Sequence, residues 1–212
     1  MCHDGPAEAG HYAVDIAILP PPEVSERAIA LSAALPVHES QGLLLGADRL
    51  PHITLTQQFV SAAALDTFIA HVDQVVRSCP PLSLGVTGGG KGSNSVWMSI
   101  ERAAPLVRLH EQLLRATEAL EATTGDASAF LEDACPAEAP VAQRRARDRD
   151  VRWVREFRRE SSFDRFTPHV TLGHAADPPF VEPMDFTATT IAVCHLGRFC
   201  TCRRIIRAWD LR

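Results

Sequence analysis

Lysine is almost absent from this 212-residue chain. Lys91 is the only one, so arginine carries nearly all of the positive charge. Arginine suits bidentate phosphate contact, but a GC-rich coding sequence produces the same bias and is the simpler explanation. Long apolar runs are missing too. None approaches the ~20 residues that span a bilayer, so no membrane helix is expected. The opening Met1-Cys2-His3-Asp4-Gly5-Pro6 has no signal-peptide pattern. The six cysteines (Cys2, Cys79, Cys135, Cys194, Cys200 and Cys202) are scattered through a chain large enough to fold without staples. A reducing, cytoplasmic setting is therefore expected. An excess of positive charge is also lacking. The net charge of -5 argues against a protein that holds nucleic acid mainly by electrostatics, while allowing a small nucleotide in a locally basic cleft.

What remains is an ordinary globular composition, 46% hydrophobic and 22% charged, long enough for one domain or two small lobes sharing a core. Within it one short pattern occurs twice: Pro51-His52-Ile53-Thr54-Leu55 and Pro168-His169-Val170-Thr171-Leu172. Two histidines are the minimum equipment for acid/base chemistry on a phosphodiester, because one imidazole can be neutral while the other is protonated. In an extended strand, alternation puts His52, Thr54 and Thr56 on one face, with Ile53 and Leu55 on the other. It groups His169, Thr171 and Gly173 likewise. Each copy thus sets an imidazole and a hydroxyl over an apolar anchor. The hydroxyls can donate to phosphate oxygens while the imidazoles flank the phosphorus. A lone strand histidine is usually structural; a matched pair, each with the same proline and threonine, is not.

Apolar periodicity predicts a strand over 12–19 and a helix over 23–34. The first motif strand follows at 52–60, then a helix capped by Ser61 and running to 78. A strand over 82–87, a glycine-rich turn over 88–92 and a strand over 96–100 follow, then a helix over 105–122. A basic helix over 149–159 buries Trp153, Val154 and Phe157. After it come the second motif strand over 168–174 and strands over 186–196 and 202–209. Residues 1–10 read as a polar leader. The stretch 123–146, rich in Ala, Gly, Asp, Glu and Pro, reads as an irregular, partly mobile insertion, with its outer limit at 148. Two strands with equivalent motifs suggest a pseudo-symmetric pair of lobes across a cleft.

With Pro-His-aliphatic-Thr-Leu present twice, 117 positions apart, the chain resembles the 2H phosphoesterase superfamily, which includes bacterial 2′-5′ RNA ligases and cyclic nucleotide phosphodiesterases of tRNA splicing. The opening Tyr12-Ala13-Val14-Asp15-Ile16-Ala17-Ile18-Leu19-Pro20-Pro21 and the run from Arg165 to Gly173 are also similar to that family. The likeness covers about residues 12–122 and 150–209. It implies an α/β (α+β) fold over 1–212, a single bilobal domain with two antiparallel sheets lining a central cleft and helices outside. It implies His52 and His169 as the catalytic pair, Thr54 and Thr171 as substrate contacts, and no metal or other cofactor. The expected substrate is a nucleotide or RNA end, opened at a 2′,3′-cyclic phosphate or a 2′-5′ linkage. The alternatives are 2′-5′ RNA ligation and a non-catalytic module that binds the same ends. Neither an obligate partner nor a membrane is implied, and a monomer is expected. Many relatives carry Arg or Lys soon after the second motif. Here Gly173-His174 stands there, and alternation turns His174 away from His169.

Other candidates carry less. Cys194, His195, Cys200 and Cys202 lack a second cysteine pair at zinc spacing and read as strand residues. The arginines from Arg144 to Arg159 are interleaved with Asp148, Asp150, Glu156 and Glu160, as on a solvated helix face. Arg198, Arg203, Arg204 and Arg207 are better placed to reach a cleft. The run Gly88 to Ser93 lacks P-loop spacing and is read as a hairpin turn. Trp97 reads either as a core residue or as a base-stacking platform.

Overall fold

Among the described residues, alternating and continuous apolar runs form eight strands, and all of them join one antiparallel sheet. The computed structural model describes residues 10–132 and 147–212. The leader before residue 10 and positions 133–146 of the expected insertion lie outside them. Strand β1 (His11–Leu19) ends at a proline run, and helix α1 (Pro22–Ala33) starts on proline at its first position. Strand β2 (Ile53–Ser61) leads into α2 (Leu65–Val76), then β3 (Leu82–Lys91), β4 (Ser95–Ile100) and α3 (Ala104–Thr117). Helix α4 (Asp148–Glu160) precedes β5 (His169–His174), β6 (Met184–Ala188), β7 (Thr190–Leu196) and β8 (Cys202–Asp210). No helix among the described residues is long and apolar enough to cross a membrane.

The strand order is β6-β3-β4-β5-β2-β1-β7-β8. It divides into two four-stranded halves that meet where β2 and β5 pair, through Ile53 opposite Val170. Each half presents its motif strand at this seam, and the two sheets expected from the sequence are the halves of one continuous sheet, joined by the pairing of β2 with β5. The chain passes from β6 to β7 through Thr189 alone, although β6 is the edge strand of one half and β7 the next-to-last strand of the other. The sheet must therefore curl strongly enough to bring its two ends together. The larger core unites Ile16, Ile53, Leu55, Met98, Val170, Leu172 and Val193 with Val24, Phe68 and Leu113 of the helices. On the other face of the β1-β7 side, α4 and the segment around Phe130 cover a smaller core with Ala13, Phe59, Cys194 and Cys202.

Several expectations are corrected. The glycines after Thr87 do not turn. Gly88, Gly89 and Gly90 extend β3 and pair with Ser99, Met98 and Trp97, so the turn falls at residues 92–94. Space explains it: a Cβ on Gly90 would lie 2.2 Å from the Trp97 indole nitrogen, so glycine makes room for that ring. Ser61 makes no capping bond, because it ends β2 and a 3₁₀ turn (Ala62–Ala64) intervenes before α2. The strand expected over 186–196 is two strands in different halves. Trp153 is 49% exposed rather than packed, while Val154 and Phe157 are buried. The described start of the insertion is irregular but anchored. Ala129 and Phe130 are buried, and Leu131 bonds to Leu196.

Both motif strands break their alternation at the same place. Opposite β1, Thr54 pairs with Ala17 and Thr56 with Ile16, which leaves Leu55 as an extra residue. Opposite β4, Thr171 pairs with Trp97 and Gly173 with Val96, which leaves Leu172 extra. These are matched β-bulges, one residue past each threonine, and a bulge re-aims the side chains that follow it. The Leu55 carbonyl freed by the first bulge accepts Nδ1–H of His110 on α3, at 2.5 Å. The other ring nitrogen of His110 accepts from the Phe163 amide at 3.0 Å, and the ring stacks on Phe166 at 3.9 Å. His110 thus clamps the first motif strand to the segment entering the second. Burial holds its pKa below 6.5, which suits a ring that must be neutral to donate with one nitrogen and accept with the other. His110→Leu should lower the unfolding free energy by about 2–4 kcal/mol, since it strands a buried carbonyl and a buried amide. Urea titration tests this, and an unchanged midpoint would refute the clamp.

Candidate active site

Proline gives each motif histidine its orientation. A residue before proline is held extended, so the carbonyl two positions before each histidine has a set direction. His52 Nδ1 meets the Leu50 carbonyl at 2.8 Å, and His169 Nδ1 meets the Thr167 carbonyl at 2.7 Å. A carbonyl can only accept, so in both neutral rings Nδ1 carries the proton and Nε2 offers its lone pair. The antiparallel seam at Ile53 and Val170 then sets His52 beside Thr171 and Thr54 beside His169. All four sequence candidates are thereby brought together on one face of the seam.

The two imidazoles feel each other. Burial is the largest cause lowering the pKa of His52, opposed by its backbone bond. Burial also lowers that of His169, opposed by its bond to Thr167 and reinforced by His52. Both rings are therefore neutral in the free protein around pH 7, and an arriving phosphate would favour protonating one of them. His169 also lies against Trp97, with ring centroids 4.8 Å apart and planes tilted by 34°. Trp97 is thus a wall of the cleft, packed over Gly90.

The bulges correct the simple alternation. Gln57, not Thr56, joins the face of Thr54, and its Nε2 reaches Thr54 Oγ1 at 3.5 Å. Thr56 Oγ1 is buried without a partner among the described residues. His174 occupies the position equivalent to Gln57, so the expectation that it points away is overturned. It lies edge-on to Phe199 at 5.2 Å, in the field of Arg149, Asp150 and Arg198, on the side of the sheet covered by α4. Phe199 and Cys200 both adopt left-handed backbone (φ 63° and 54°), which is costly for side-chain-bearing residues and typical of functional turns. That turn holds Phe199 between Arg198 and Arg149, at 4.4 and 5.6 Å. Of the C-terminal arginines singled out, Arg198 is brought to this corner, whereas Arg204 and Arg207 are exposed. Arg155, Arg158 and Arg159 of α4 bond to Gly125, Glu121 and Glu156, as a structural helix face does. His195 contacts the Ala129 carbonyl and Tyr12, away from the three buried cysteines.

Asp15 is the residue that sequence reasoning missed. It is wholly buried on β1, and its Oδ2 accepts from Thr54 Oγ1 and Gln57 Nε2, both at 2.7 Å. The same oxygen is 3.7 Å from His52 Nε2. Its Oδ1 has no partner among the described residues. Burial pushes its pKa up to about 7, against the lowering effect of the Gln57 and Thr54 bonds. The signal was there: Asp15 is the only charged residue in the run from Ala13 to Leu19. The consequence is asymmetry. The Thr54 hydroxyl is engaged by a carboxyl group, whereas Thr171 lies beside neutral Trp97. Among the described residues, Asp15, His52 and Cys202 also bring donor atoms close enough together to hold a cation.

Comparison with known proteins agrees with this architecture. The sequence model of the 2′-5′ RNA ligase superfamily matches residues 20–192. Apo LigT of E. coli superimposes with a TM-score of 0.59 at 19% identity, covering 97% of this chain and 99% of its own. A structure described as a phosphoesterase gives 0.59 at 18%, covering 94% and 98%. LigT complexed with 3′-AMP gives 0.58 at 17%, covering 95% and 98%. No curated protein matches the chain.

Because Asp15 holds its proton more tightly when folded, its contribution to stability is full below pH 3.8 and is lost as pH rises toward about 7. Asp15→Asn should remove that loss. The variant should gain stability over the native protein across this interval in paired urea titrations, and parallel pH profiles would refute the assignment.

Proposed function

The chain belongs to the 2′-5′ RNA ligase superfamily, and from that premise we propose that it is a two-histidine phosphodiesterase acting on a nucleotide or RNA end. The bond cut is that of a 2′,3′-cyclic phosphate or a 2′-5′ linkage. The observation that carries the reading is the matched pair of imidazoles. Each is held by Nδ1 on a carbonyl two residues back, and each leaves Nε2 for proton transfer. One neutral ring takes a proton from water as it attacks phosphorus. The other, protonated once the anionic substrate is bound, gives a proton to the departing ribose oxygen. Thr171 donates its hydroxyl to a non-bridging oxygen, Thr54 does so once its proton turns from Asp15 Oδ2 to the phosphate, and Trp97 beside His169 offers a flat face to a base. The LigT complex with 3′-AMP supports a nucleotide as the class of ligand.

The family's description favours one further reading, the joining of RNA ends through a 2′-5′ bond at the same residues. A cyclic phosphate attacked by a ribose hydroxyl instead of water needs the same two proton transfers. Joining of tRNA half-molecules without a nucleotide triphosphate distinguishes it.

Nucleoside 2′,3′-cyclic monophosphates incubated with chelator should be opened by the native chain. His52→Ala and His169→Ala should each lose roughly 10²–10⁴-fold while remaining folded. The acidic limb of the kcat/KM profile should lie below pH 6.5, since burial depresses both histidines. Turnover near the native rate in either variant would refute the mechanism.

A further inference from the structure

We propose that Asp15, His52 and Cys202 bind one thiophilic divalent cation, zinc being the model case, and that the bound cation silences His52. A carboxylate oxygen of Asp15, a ring nitrogen of His52 and Cys202 Sγ all lie within 4.8 Å of one another. The backbone explains why the thiol is there. Leu50, whose carbonyl orients His52, donates its own amide to the Cys202 carbonyl at 2.9 Å, so β8 is tied to the approach of the motif strand.

Three features point to a cation rather than to ordinary packing. Asp15 is fully buried, yet its Oδ1 has no partner among the described residues, a costly state unless something occupies it. The donor set is one carboxylate, one imidazole and one thiolate, all established zinc ligands; the thiolate disfavours magnesium and calcium. Charge also balances. When the ion enters, the Cys202 thiol proton and any proton held by Asp15 leave to solvent, and two anionic ligands neutralise a dication, as a buried site requires.

Three protein ligands leave a fourth position open, the arrangement of an accessible zinc site. The consequence for activity rests on the two-histidine reading. A cation on His52 Nε2 removes the lone pair that would accept or carry the transferred proton. The site is therefore an inhibitory one, emptied by a chelator.

The decisive experiment titrates chelator-treated full-length protein with Co²⁺ and follows the thiolate-to-cobalt charge-transfer absorbance. One equivalent should bind, with the band present in the native chain and in Cys79→Ser but absent in Cys202→Ser. Asp15→Asn should weaken binding by about tenfold or more, and it decides the matter should Cys202→Ser fail to fold. In parallel, Zn²⁺ should suppress cyclic phosphate turnover, chelator should restore it, and Mg²⁺ should leave it unchanged. No band in the native chain, or an undiminished band in Cys202→Ser, would overturn the site. Binding by a chain that turns over no substrate would keep the site and remove the inhibition. Turnover without cobalt binding would remove the site and its inhibition together and leave the two-histidine reading standing.

Discussion

The two halves of the sheet meet where Ile53 pairs with Val170, and the chemistry of the molecule depends on that seam. Antiparallel pairing there sets each histidine beside the other half's threonine. A shift of one residue in either strand would send an imidazole into the apolar core. The register is held from both sides. Ile53, Leu55, Val170 and Leu172 are all completely buried, so slippage would expose them and bury polar groups in exchange. His110 adds a polar lock by joining the freed Leu55 carbonyl to the segment that leads into the second motif.

Around this seam the molecule is nearly symmetric in backbone and unsymmetric in charge. Both copies share a proline, a carbonyl-bound imidazole and a bulge at leucine. After the bulges one half presents Gln57, bonded to a buried carboxyl group. The other presents His174, beside Phe199 and two arginines. The buried carboxyl and the two arginines give the two halves different charged surroundings. In the proposed reaction one ring serves as base and the other as acid, a division that calls for unequal proton affinities.

Asp15 connects this polarity to the fold. Its carboxyl lies in an apolar strand, with burial pressing it toward the neutral form while Thr54 and Gln57 favour the charged one. The balance falls near neutrality, where a small change in its surroundings alters its charge. Such a group is expensive to bury, and here it is buried beside His52 with one oxygen bonded to Thr54 and Gln57.

Much of this was legible in the chain. The repeated Pro-His-aliphatic-Thr-Leu shows which strands matter, and period-2 alternation puts His52, Thr54, His169 and Thr171 on one face, because strand geometry is local. Local proline stereochemistry also explains how each imidazole is held. The alternation stops being a guide one residue later. Bulges at Leu55 and Leu172 arise from pairing with β1 and β4, and no local pattern announces them, so Gln57 and His174 change face. The triple glycine reads as a turn until the Trp97 ring that needs its space is seen beside it. The continuous run from Phe186 to Leu196 gives no sign that it serves both halves. Asp15 and Cys202 come to His52 from strands distant in sequence. The sequence thus determined the matched pair of histidines and their tautomers, which follow from neighbouring bonds. Tertiary structure alone decided the surrounding charges, because these depend on which strands lie side by side.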